Sequence, residues 1–171
     1  EQRGTDNVDA YNLYLMARQR YATGQMSDAR RSDTVIRLCR GAIELDPNYA
    51  RAWALMATAQ RHRMYATGQG DNGSVAAARA IELDANLAEA HAAKAGVHAA
   101  AGDYGAAEEE LAIAMRLDPD SVDVIQEAAR LHFMLKRYAS AAASWDRYAT
   151  LVETDIASGG LRITCNTALG D

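Results

Sequence analysis

The 171-residue sequence predicts an all-α fold: an α-α superhelix (a solenoid) of about four helical hairpins followed by one terminal helix. Three observations favour this fold. A twelve-residue segment recurs three times along the chain. Alanine supplies much of the 49% of residues that are hydrophobic, whereas aromatic residues make up only 6%. Only two prolines interrupt the chain. Such a composition suits closely packed helices, because sheets favour β-branched and aromatic residues.

The recurring segment is the main structural signal. It reads AIELDPNYARAW at residues 42–53, AIELDANLAEAH at 80–91 and AMRLDPDSVDVI at 114–125. Successive copies begin 38 and 34 residues apart. Proline follows Asp46 and Asp118 and disfavours helix in the residue before it, so each segment is predicted to end one helix and begin the next. Connections this short make neighbouring helices antiparallel.

The clearest repeat, residues 88–121, contains in order Gly102, Tyr104, Ala107, Leu111 and Ala114. With a 34-residue period, this order resembles the tetratricopeptide repeat (TPR) family. The resemblance implies a single TPR solenoid over residues 1–171. Its repeats lie at about 7–49, 50–87, 88–121 and 122–155, with a half repeat at 156–171.

The individual repeats differ in detail. The first is predicted to have helices at residues 11–21 and 34–45, joined by a long loop. The second has Trp53 at a core position of the family, where the resemblance implies a structural role, and about four extra residues at 68–73. The fourth has Trp145 at a second-helix core position. Gly102 and Gly170 are two periods of 34 apart, which predicts the terminal helix.

The resemblance also implies a concave groove that binds a partner protein or peptide. The residues carried over to this groove are Arg51, Thr58, Arg61, His62, Glu89, Gln126, Arg130, Phe133 and Met134. Alanine and glycine between them would let a helix or extended segment approach closely. The arginines could pair with carboxylates, and Phe133 and Met134 offer an apolar anchor. The alternative is that these residues form only a solvated face.

Three histidines are candidate metal ligands. His91 and His98 lie seven residues apart on one helix face, and His132 lies one period after His98. Stacked repeats could bring the three imidazoles together, but no spacing supplies a further ligand, so semi-buried core histidines are the preferred interpretation. Glu108, Glu109 and Glu110 are expected on a solvated outer face. No catalytic or phosphate-binding motif occurs, so we expect neither enzymatic activity nor a cofactor.

Charge and hydropathy limit the partners further. A net charge of −5 argues against nucleic acid and anionic membrane surfaces. No apolar run is long enough to span a bilayer. Cys39 and Cys165 lack metal or redox spacing, which together with the missing leader favours the cytoplasm.

The chain begins with Glu rather than Met, so we interpret it as part of a longer protein. The block VDAYNLYLMARQRY followed by AIELDPNYARAWA resembles the repeat region of larger bacterial regulatory proteins with nucleotide-cyclase or winged-helix domains. This favours an interaction scaffold. The alternatives are a homo-oligomerisation element, forming a homodimer through the solenoid ends, and a small-molecule or metal-sensing module.

Overall fold

The computed structural model describes residues 3–23 and 28–152, and every regular element in these ranges is an α-helix. In chain order the helices are α1 (Val8–Ala22), α2 (Ala29–Leu45), α3 (Ala50–Thr67), α4 (Ser74–Leu83), α5 (Ala88–Ala100), α6 (Tyr104–Leu117), α7 (Val122–Met134) and α8 (Tyr138–Leu151). The predicted all-α architecture is confirmed. The predicted half repeat at 156–171, with Cys165, lies outside the described residues.

The helices form four consecutive hairpins. The first helices are α1, α3, α5 and α7, and the second helices are α2, α4, α6 and α8. Each first helix contacts the second helix that follows it, and α5 also contacts both α3 and α7. Helices α1 and α2 begin three and five residues earlier than the sequence indicated. None of the described helices has the length and hydropathy needed to cross a membrane.

Aspartate makes the turn that recurs between hairpins. The carboxylates of Asp46, Asp84 and Asp118 each accept from the backbone N–H two residues later, at 3.0, 3.0 and 3.1 Å. The backbone N–H of each aspartate donates to the carbonyl four residues earlier and closes the preceding helix. In the second turn Ala85 stands where the other two turns have proline, yet the aspartate before it has nearly the same backbone angles in all three turns. The side chain of aspartate, more than proline, therefore sets this turn.

Alanine dominates the contacts between helices. Ala17, Ala57, Ala77, Ala107 and Ala141 are fully buried. Small side chains let helix backbones approach closely, while each contributes little apolar area. Stability is therefore distributed over many contacts.

The two tryptophans differ in burial. Trp145 is 2% exposed, as its core position predicts. Trp53 is only half-buried, and its indole N–H donates to the Pro47 carbonyl at 3.0 Å. Its ring packs against two clusters of buried residues, so Trp53 lies at the edge of the core. The indole hydrogen bond ties the ring to the turn that precedes α3.

The extra residues of the second hairpin form a loop bounded by two glycines. Gly68 (φ 68°) ends α3, and Gly73 (φ 86°) immediately precedes α4. A Cβ atom on Gly73 would lie 2.3 Å from the carbonyl oxygen of Ala57 in α3. A Cβ atom on Gly68 would meet nothing within 4 Å. Of these two glycines, only Gly73 combines left-handed backbone with close backbone contact.

We expect Gly73→Ala to lower the free energy of unfolding by about 2–4 kcal/mol, because a backbone clash adds to left-handed strain. Gly68→Ala is the matched control and should cost about 1 kcal/mol, from strain alone. Urea unfolding followed by circular dichroism measures both. Equal losses would show that the approach to Ala57 contributes nothing.

Candidate functional site

Side chains of α1 reach across α3 and α5, on the face formed by the first helices, and contact α7. The Arg18 Nη1 group donates to both carboxylate oxygens of Asp123, at 2.9 and 2.7 Å. The Tyr21 hydroxyl lies 3.2 Å from Oε1 of Gln126, to which it donates. The neighbouring Asp123 carboxylate raises the pKa of Arg18 above its ordinary value. Both contacts join residues 105 positions apart in the chain.

These contacts close the centre of the first-helix face. The cavity that remains there measures about 20 Å³, room for about one water molecule. Four of the nine predicted groove residues line it: Arg51, Thr58, Glu89 and Gln126. Burial raises the pKa of Glu89. Side chains of α1 thus occupy the centre of the face, where the sequence predicted an open groove.

A buried ion pair lies beside this cavity. Arg61 is 4% exposed, and its Nη2 group donates to Oε2 of Glu127 at 2.9 Å. The guanidinium rests on Gly96 of α5, where a Cβ atom would lie 2.7 Å from it. Burial raises the pKa of Glu127, and Arg61 opposes that effect in part. The sequence suggested that Arg61 could bind a ligand carboxylate, but this guanidinium is already engaged with Glu127.

His62 is also buried, at 4% exposure. Its ring stacks on Tyr21 with a centroid separation of 5.8 Å and an interplanar angle of 12°. Burial, with the nearby charges of Arg61 and Arg31, lowers the pKa of His62 well below its ordinary value. Its Nδ1 atom hydrogen-bonds to no described residue. His62 is therefore neutral near physiological pH and contributes no charge to its surroundings.

An apolar cleft opens at the carboxyl-terminal ends of α3, α5 and α7. We call it the carboxyl-end cleft, and it measures about 500 Å³. Its lining residues are Arg61, His62, Met64, Tyr65, Asn72, Ala100, Arg130, Phe133 and Met134. Five of them belong to the nine predicted groove residues. Tyr65 is 86% exposed and Met134 37% exposed, so the cleft presents large apolar groups to solvent.

Two parts of this arrangement were not predicted from the sequence. The α1 residues Tyr14, Arg18 and Tyr21 are spaced four and three apart, which places them on one helix face. That spacing was the only sequence signal that these three side chains of α1 act together. Tyr65 belongs to the second copy of the YATGQ motif, whose first copy begins at Tyr21. Tyr21 packs on His62 whereas Tyr65 is exposed, so the shared motif did not distinguish their environments.

The three candidate metal ligands do not form a cluster. His91 Nδ1 lies 2.7 Å from Oε2 of Glu110, and its Nε2 lies 3.0 Å from the Ala85 carbonyl. His98 lies near Asp103 instead, and burial lowers the pKa of His132. Within residues 3–23 and 28–152, no three His, Cys, Asp or Glu side chains are placed to hold a metal ion.

Glu110 differs from the solvated residue that the sequence suggested. Besides His91, it accepts from Lys94 Nζ at 2.6 Å, and its side chain is only 13% exposed. Burial by itself would raise the pKa of Glu110, but the hydrogen bonds from Lys94 and His91 outweigh it and lower the pKa. Glu110 thus ties α6 to α5.

No family model matches the sequence, and no curated protein matches it. Solved structures do. TTC0263, a thermophilic TPR protein in Thermus thermophilus, is 19% identical with a TM-score of 0.66, over 96% of this chain and 83% of that chain. A chain in the structure of Naa15/Naa10 bound to HypK-THB is 14% identical with a TM-score of 0.56, over 94% of this chain and 23% of that longer chain. These likenesses show a TPR-like helical-repeat fold.

We expect Glu127→Leu to lower the free energy of unfolding by about 3–5 kcal/mol, because it leaves the Arg61 guanidinium buried without its partner. Arg61→Met combined with Glu127→Leu should restore most of that loss. Urea denaturation measures both. Glu108→Leu breaks an exposed pair with Arg137 and, as the control, should cost less than about 1 kcal/mol. A double variant as unstable as Glu127→Leu would refute this account.

Glu110 should make the stability depend on pH. Its folded pKa lies below the unfolded value of about 4.3, so the ionised carboxylate stabilises the fold above that value. The contribution is lost as pH falls through the folded pKa. We expect Glu110→Gln to cost about 1 kcal/mol near neutral pH and much less near about pH 3. Exposed Glu109→Gln is the control, measured by denaturant titration at both pH values. A pH-independent difference would contradict the assignment.

Proposed function

We propose that this chain is a non-enzymatic interaction scaffold that docks a segment of a partner protein in the carboxyl-end cleft. The observation that carries the proposal is the cleft itself, an opening of about 500 Å³ lined mainly by apolar side chains. Tyr65, Phe133 and Met134 are large groups of the kind that anchor protein contacts. The side chains of α1 occupy the centre of the first-helix face, and the apolar cleft opens at its carboxyl-terminal end.

The TPR-like fold supports the proposal in general terms. Stacked hairpins offer extended surfaces on which partner segments bind. The similar chain in the structure of Naa15/Naa10 bound to HypK-THB comes from a protein complex. As part of the same proposal, this segment serves a larger bacterial regulatory protein in the cytoplasm.

To test the proposal, peptides that bind the wild-type protein are selected from a random linear library. Their affinities for two variants are then measured. Met134→Glu places a charge in the cleft, whereas Met115→Glu changes a methionine of similar exposure (43%) on α6, outside the cleft. We expect Met134→Glu to weaken binding at least about tenfold and Met115→Glu to leave it unchanged.

Selective labelling of the methionine methyl groups gives a second readout. Met64 and Met134 line the cleft, so their NMR signals should shift when a selected peptide binds, while that of Met115 stays in place. Binding that is equally strong in all three proteins, with no shift at Met64 or Met134, would place the interaction surface elsewhere.

A further inference from the structure

The charges in the wall of the carboxyl-end cleft are unbalanced. Arg61 and Arg130 both approach one carboxylate, that of Glu127: Arg61 at 2.9 Å from Oε2 and Arg130 Nη2 at 3.4 Å from Oε1. His62 is neutral, and no acidic side chain lines the cleft among the described residues. The wall therefore carries more positive than negative charge, although the whole chain has a net charge of −5.

Arg130 is the less satisfied of the two arginines. Its guanidinium hydrogen-bonds to no described residue, and its buried Nε atom has no acceptor there. The side chain is nevertheless only 20% exposed. A guanidinium carries five N–H donors in a planar fork that matches a carboxylate. Because donors withdrawn from water are costly unless paired, this position favours a ligand that brings acceptor oxygens.

The apolar lining begins immediately beside Arg130. Phe133 and Met134 follow it by three and four positions on α7, so all three lie on one side of the helix. Tyr65 and Met64 line the same cleft from α3. A ligand held by Arg130 would therefore place its adjacent groups against apolar side chains.

We infer that the carboxyl-end cleft binds a peptide segment in which an acidic residue lies beside large apolar residues. The carboxylate binds the guanidinium of Arg130, and the apolar side chains pack on Phe133, Met134 and Tyr65. The inference rests on the proposed function and specifies the chemistry of the partner. One excess positive charge in an otherwise acidic chain suits a single carboxylate better than a polyanion such as nucleic acid.

The experiment uses peptides selected on the wild-type protein that lose affinity for Met134→Glu. Each Asp or Glu in such a peptide is replaced in turn by Asn or Gln, which keeps the shape and removes the charge. Affinities are measured by fluorescence anisotropy on the wild type, on Arg130→Gln and on Arg40→Gln. Arg40 is an exposed arginine of α2 outside the cleft, so its variant makes the same change in net charge.

We expect one acid-to-amide replacement to weaken binding to the wild type and to Arg40→Gln by about tenfold, and to Arg130→Gln by less than about twofold. Selected peptides without acidic residues, or acid and amide forms of equal affinity, would overturn the inference and leave the proposed docking site intact. Peptides that bind regardless of Met134→Glu would overturn both. The comparison of acid and amide peptides on the wild type needs no variant to fold.

Discussion

Close packing of helices through alanine and glycine is the constraint on which the rest of this structure depends. Fully buried alanines such as Ala57 and Ala107 bring helix backbones together but bury little area each. On α5, Gly96 has no side chain, and this leaves room for the guanidinium of Arg61 from α3. The core of the first-helix face therefore contains an ion pair, Arg61 with Glu127, where larger apolar residues would exclude it.

This polar core divides the first-helix face into two regions with different roles. In the central region, Arg18 and Tyr21 of α1 fill the space with contacts to α7. At the carboxyl-terminal ends of α3, α5 and α7 the cleft remains open. The same buried carboxylate, Glu127, neutralises Arg61 and only partly offsets Arg130. Packing of the centre thus determines the charge in the wall of the carboxyl-end cleft.

The sequence predicted the parts of the fold that are set within a repeat or between adjacent repeats. Asp46, Asp84 and Asp118 recur with the period, so the turns and the antiparallel hairpins follow from local chemistry. Five of the nine residues predicted for a concave groove line the carboxyl-end cleft. The contact between α1 and α7 could not be predicted, because a periodic pattern specifies adjacent hairpins and says nothing about pairs 105 residues apart. For the same reason the sequence does not reveal that Arg61 is buried: its partner Glu127 lies two hairpins further along the chain.

The contact between α1 and α7 has a consequence for folding. In an open solenoid each repeat touches only its neighbours, so repeats can unfold from either end in succession. Here Arg18–Asp123 and Tyr21–Gln126 connect the first hairpin to the fourth. Fraying of α1 therefore exposes the polar core beside it, including the buried carboxylate of Glu127 three hairpins further along the chain. The bridge adds a contact between the first and fourth hairpins to the nearest-neighbour contacts, which couples the unfolding of these hairpins at the expense of a larger loop-closure entropy during folding.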